Sequence, residues 1–186
     1  MGRIEKQKRE LIEESNKRIL NENGKFIGDI DRLEDYNYLK EKLPNADEYV
    51  VYDWFYKSNE NWNQENIDKL IKKYKDVEWT LKENFPISLN ILSDETIKRL
   101  KERWDGIEKK GLVGDLERHQ TQADLIKRQG ISKEPIIMLD LKKEKYELVE
   151  GWHRIIQIFK LYPKGFEYPK VWIGKSTDGT DISIYK

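Results

Sequence analysis

"LVEGWHRIIQIF", residues Leu148–Phe159, decides how this chain is read. Its first part lies in "YELVE" (Tyr146–Glu150), whose aromatic and β-branched residues suit a strand. Its second part begins a helix predicted over 152–162, with Ile155, Ile156, Phe159 and Tyr162 on one apolar face. Gly151 is the joint between them. The helix opens with a histidine and an arginine, His153 and Arg154, in its first turn. The positive end of the helix macrodipole disfavours cations there by ~0.3–1 kcal/mol each. Sequences tolerate such a local conflict where function asks for it. An anion lying over Gly151, Trp152, His153 and Arg154 removes the conflict, because main-chain N–H groups and two side chains then face one negative charge.

The neighbouring segments extend the pattern in both directions. Upstream, "EPIIMLDL" (Glu134–Leu141) reads as a strand, "KKEK" as a turn, and "YELVE" as its hairpin partner. Downstream, Pro163 and Gly165 stop the helix, and "PKVWIG" (Pro169–Gly174) reads as another strand. Before the hairpin, "ERHQTQADLIKRQG" predicts a helix to Gln129 with Gly130 as its stop. "GLVGD" (Gly111–Asp115) reads as a loop and "NFPISLNIL" (Asn84–Leu92) as a short strand. Ser93 suits an N-cap, with Asp94 and Glu95 in the following first turn. Ile97, Leu100, Trp104 and Ile107 mark the inner face of that helix.

The first 80 residues are less regular. Residues 3–22 predict a charged helix with a thin stripe of Ile4, Leu11, Ile12, Ile19 and Leu20, broken by Asn23-Gly24. Such an arm packs on the body or pairs with a second subunit, a homodimer through the N-terminal helix. "EYVVYDWFY" (Glu48–Tyr56) reads as a strand or a buried segment, with Trp54 and Tyr56 in a core or, alternatively, as a base-stacking platform. Ile67, Leu70, Ile71 and Tyr74 in "NIDKLIKKYK" have the spacing of an amphipathic helix.

Composition narrows the function classes. Charged residues make up 38% of the 186, yet six Trp, ten Tyr and five Phe argue for a folded core. The 35 basic residues balance the 35 acidic ones, so no global positive field draws nucleic acid. The absence of cysteine excludes disulfides, thiolate metal sites and cysteine nucleophiles. No run is apolar enough to span a membrane, the N-terminus lacks the apolar stretch of a signal peptide, and Lys6 stands where a myristoylation signal needs Ser or Thr. A cytoplasmic protein with no membrane partner is the expectation.

The ordered conjunction of "QGI", "EPI", "YELVEG" and "HR" within "ADLIKRQGISKEPIIMLDLKKEKYELVEGWHRIIQIFKLYP" resembles the core of the ParB/sulfiredoxin-like superfamily, over about Phe85 to Gly174. The resemblance implies an α+β fold: a small mixed sheet with flanking helices over 81–186, preceded by a charged, mainly helical extension over 1–80. It also implies that the glycine-to-helix turn binds nucleotide phosphates. Carried over by position, Gly151 lets the backbone approach, the N–H groups of Trp152 and His153 cradle the phosphate, and the side chains of His153 and Arg154 complete the grip. Arg118 resembles a further arginine facing the ligand. Two departures matter. Trp152 stands where sulfiredoxin-like members carry cysteine, which removes their thiol chemistry. The short remainder ending in "STDGTDISIYK" leaves no room for the helix-turn-helix domain of partition proteins.

The expected function is therefore an ATP-dependent phosphotransferase or nucleotide hydrolase. ATP or another nucleotide and Mg²⁺ are the implied cofactors, with a small-molecule or nucleic-acid acceptor. His153 and Glu150 are the candidate catalytic residues, Glu150 as a carboxylate base or a metal contact. His119 and His153 together would be a weak metal pair. The alternatives are a non-enzymatic nucleic-acid-binding module, with Trp152 or Trp54 stacking on bases, and a degenerate fold used for protein interaction.

Overall fold

The computed structural model describes residues 18–20, 26–29, 33–56, 64–110 and 113–185. The chain forms two compact units, Met1–Asp76 and Val77–Lys186.

In the first unit, strand β1 (Arg18–Leu20) pairs antiparallel with β2 (Phe26–Asp29), Arg18 opposite Asp29 and Leu20 opposite Phe26. Ile19 and Leu20 thus belong to a strand rather than to the end of the helix expected over 3–22; the rest of that helix lies outside the described residues. Pairing with Phe26–Asp29 satisfies the main chain here, and a thin apolar stripe contributes too little burial to hold a helix in its place. Helices α1 (Leu33–Lys42) and α3 (Gln64–Tyr74) flank the short α2 (Glu48–Val50), which runs on as a π-helical turn over Val51–Tyr56.

The run Glu48–Tyr56 is therefore helical, not a strand. Asp47 starts it by accepting the Tyr49 N–H at 2.8 Å, and Val50, Val51, Trp54 and Phe55 are all buried. A segment buried on every face carries no period to tell helix from strand, so its β-rich composition misleads. Trp54 lies 4.8 Å from the Tyr74 ring and Phe55 5.8 Å from it, between centroids, so these aromatics form the core of the unit.

The second unit is built on a mixed four-stranded sheet in the order β3-β6-β4-β5. Its strands are β3 (Val77–Ile87), β4 (Ile136–Asp140), β5 (Tyr146–Glu150) and β6 (Phe166–Ser176). β4 is antiparallel to β5 and parallel to β6, and β6 is antiparallel to β3. Three long helices accompany the sheet: α4 (Asp94–Lys110), α5 (Val113–Gln129) and α6 (Trp152–Leu161). The unit is thus α+β. β4 is interior, with Ile136, Ile137, Met138 and Leu139 fully buried, which explains its unbroken apolar run.

Local chemistry places the joints. Ser93 Oγ accepts the Thr96 N–H at 3.2 Å and caps α4, as its sequence suggests. Gly130 closes α5 in the left-handed region (φ 79°), its N–H bonded to Ile126 O at 2.9 Å. Several boundaries differ from expectation. β3 starts at Val77, well before Asn84, because its first residues pair with the end of β6, Val77 opposite Ser176. The apolar stretch ends in a 3-10 turn over Leu89–Ile91 rather than in strand. α5 begins at Val113, inside the stretch read as a loop. Tyr162 is 48% exposed instead of joining the apolar face of α6, whereas Ile158 is buried. Tyr162 stands just past the last helical residue, where the 3.6-residue period no longer sets its direction.

After β6 the chain turns back along the sheet. Ser183 Oγ donates to Glu147 Oε2 and the Ile184 N–H donates to Glu147 Oε1, both at 2.6 Å. Glu147 is 1% exposed, so this carboxylate on β5 receives the C-terminal segment in a buried setting.

Candidate functional site

The β5–α6 joint carries the residues that the sequence singled out. Gly151 is the N-cap of α6, with φ 99° and ψ 17°, and no side chain caps the helix. A Cβ built there would lie 2.4 Å from Ile136 Cγ2. Glycine is thus required twice, by the left-handed backbone and by contact with β4. The first intrahelical bond runs from the Ile155 N–H to Gly151 O at 3.0 Å. The N–H groups ahead of it in a helix have no partner within the helix and point past its N-terminus.

The four side chains around this joint go to different places. Trp152 is 7% exposed and packs in the core of the unit, its Nε1–H donating to Val149 O at 2.9 Å and the Arg103 guanidinium lying 5.0 Å from its ring centroid. Arg154 is also buried. Its Nη1 donates to the main-chain carbonyl of Glu134 at 3.1 Å and to Glu134 Oε2 at 2.9 Å. The buried Tyr168 hydroxyl donates to that same carbonyl at 3.0 Å, and burial pushes its pKa up to about 12. His153 and Glu150, on either side of the Gly151–Trp152 pair, are both half-buried.

Sequence reasoning did not find Glu134 or Tyr168. Glu134 precedes Pro135 at the entry to β4, 20 residues before its arginine, and only the parallel alignment of β4 with β6 brings Tyr168 to the same carbonyl. Arg118 and His119 fall within α5, but their side chains lie outside the described residues. Trp54 belongs to the other unit and is buried, and Trp152 is buried here, so neither ring offers an open face for a base. No group of three or more metal-ligating side chains occurs among the described residues.

A separate concavity of about 440 Å³ opens along α4 and α6, with Leu89, Ile97, Leu100, Trp104, Ile156 and Phe159 among its walls. Its size falls within the range of small-molecule pockets. Compared with family models, curated proteins and solved structures, the chain matches none.

Proposed function

We propose that this chain binds the phosphate of a nucleotide at the β5–α6 turn and transfers or hydrolyses a phosphoryl group there. The observation that carries this reading is Gly151: a left-handed N-cap, with no capping side chain, seated against Ile136 at the start of a buried helix. An anion at such a terminus meets main-chain N–H groups and the positive end of the helix dipole together. His153 would add a side-chain contact. Arg154, turned toward Glu134, would lend positive charge from beneath the turn.

Mg²⁺ would be held in the manner usual for nucleotide enzymes, with most of its ligands supplied by phosphates and water. That ion keeps several waters and needs only one or two carboxylates when phosphates supply the rest. Glu150 would be the carboxylate, as a metal contact or a base toward the acceptor, and His153 a proton donor. The test is thermal shift and equilibrium binding with ATP, ADP, CTP and GTP in the presence of Mg²⁺, on wild type and His153→Ala. A ligand at a hundred times its dissociation constant stabilises by about 2.7 kcal/mol, which a melt resolves. Stabilisation by a nucleotide, lost in the variant, is the expected result. No stabilisation by any of the four would overturn the reading.

A further inference from the structure

Two strands bound the sheet of the second unit, and the chain treats its two edges differently. β5 is closed by the start of α4. The Ser93 N–H donates to Tyr146 O at 2.8 Å, and the Leu148 N–H donates to Thr96 Oγ1 at 3.1 Å. Nothing among the described residues pairs with the outer side of β3, and its residues 80–84 are all exposed. An open edge of this length is a ready template for another strand.

The open stretch has defined limits. Asn84 sits in the left-handed region at φ 49°, and Pro86 has no N–H to give. The regular part of the edge is therefore "VEWTLKE", Val77–Glu83, and its midpoint is Thr80. An antiparallel pairing of this segment with itself, centred on Thr80, sets Glu78 opposite Lys82 twice, once on each side of the axis. It also sets Trp79 opposite Leu81 twice, covering a leucine that is 37% exposed. Val77 meets Glu83 at the two ends. Neither Glu78 nor Lys82 forms an ion pair among the described residues, so both charges are open to a partner. A lysine in an exposed edge normally repels stray strands by its cost of burial. In this one register that cost is offset, because each lysine faces a glutamate.

We propose that β3 is a dimerisation edge: two copies of this chain pair their Val77–Glu83 segments antiparallel about a two-fold axis at Thr80, joining both sheets into one. The interface is isologous, so one surface serves both partners and the assembly closes at two.

The chain's lack of cysteine makes the test specific. Sedimentation of the full chain from micromolar to millimolar concentration should show mass rising toward the dimer. E78K and K82E each turn both cross-strand pairs repulsive and should weaken association about tenfold or more. The double variant E78K/K82E restores opposite charges and should recover the dimer. Thr80→Cys lies on the axis, within disulfide reach of its mate, whereas Glu83→Cys lies roughly 20 Å from its own mate. Under mild oxidation Thr80→Cys should cross-link at least tenfold faster. A monomer at every concentration would overturn the proposal, and so would association indifferent to both reversals. Equal cross-linking of the two cysteine variants would overturn it as well.

Discussion

Arg154 holds Glu134 at two points from one nitrogen, Nη1, at 3.1 Å to the carbonyl and 2.9 Å to the carboxylate. The Arg154 side chain is 10% exposed and that of Glu134 59%, so the cation is the buried partner. The bond ties the first turn of α6 to the entry of β4. It thereby holds Gly151 against Ile136, and the turn keeps its shape through contacts that lie behind it.

This asymmetry predicts unequal costs for removing the two partners. Glu134→Ala leaves a largely buried guanidinium without its carboxylate and should cost about 2–3 kcal/mol. Arg154→Met keeps much of the packing volume and returns a half-exposed carboxylate to water, so about 1 kcal/mol is expected. The double variant should be little worse than Arg154→Met alone. Urea unfolding of the three proteins checks it; a costlier arginine replacement would show that the guanidinium matters mainly for packing.

Gly151→Ala should be among the most damaging single-methyl additions in the second unit. A left-handed backbone costs a non-glycine residue roughly 1–2 kcal/mol, and the collision with Ile136 Cγ2 adds about 1–3 kcal/mol. Ile136→Ala in the same chain removes that methyl group. The pair Gly151→Ala/Ile136→Ala should then be less destabilised than the sum of its single variants, as a double-mutant cycle would reveal. Strict additivity would place all of the cost in the backbone.

The β4–β5–α6–β6 succession was legible because each element is short and punctuated. Gly130, the "KKEK" turn, Gly151 and Pro163 mark its ends; the 3.6-residue period identifies α6, and the shortness of the bounded apolar run identifies β4 although it is buried on both faces. Glu48–Tyr56 was not legible as helix, since full burial erases the polar face that separates the two periods. The start of β3 was hidden for another reason. "VEWTLKE" alternates only three apolar residues, Val77, Trp79 and Leu81, with polar ones, and most of it is exposed, because it is an edge strand whose position is set by main-chain pairing with β6. At the site, His153, Arg154 and Gly151 could be picked out from a local charge conflict. Glu134 and Tyr168 could not, because their contacts are made only through the sheet register.

Glu147 predicts a coupling between the C-terminal segment and β5. Truncation after Asp181 would remove two donors, the Ser183 hydroxyl and the Ile184 N–H, from a buried carboxylate. We expect a loss of about 2–4 kcal/mol in the wild-type background. In a Glu147→Met background the same truncation should cost clearly less, because no carboxylate is there to lose those two bonds. Chemical denaturation of the four proteins measures the difference; equal costs in both backgrounds would assign the effect to the buried Ile182 side chain instead.

Tyr168 gives a prediction at alkaline pH, with the sign fixed by its environment. Burial raises its pKa from 10.0 to about 12, while Arg154 opposes that shift in part. The folded state therefore prefers the neutral phenol more strongly than the unfolded chain does. Its stabilising contribution is complete below pH 10 and is lost as pH rises through 10 to about 12. Two pH units correspond to roughly 2.7 kcal/mol at full loss. Tyr168→Phe should be destabilised by about 1 kcal/mol near neutral pH, because the bond to the Glu134 carbonyl is gone. Its stability should then fall less steeply with pH than that of wild type, so the two curves converge as alkalinity increases. Parallel curves from neutral to strongly alkaline pH would mean that the phenol titrates alike in both states, and that its hydroxyl acts at this site only as a hydrogen-bond donor.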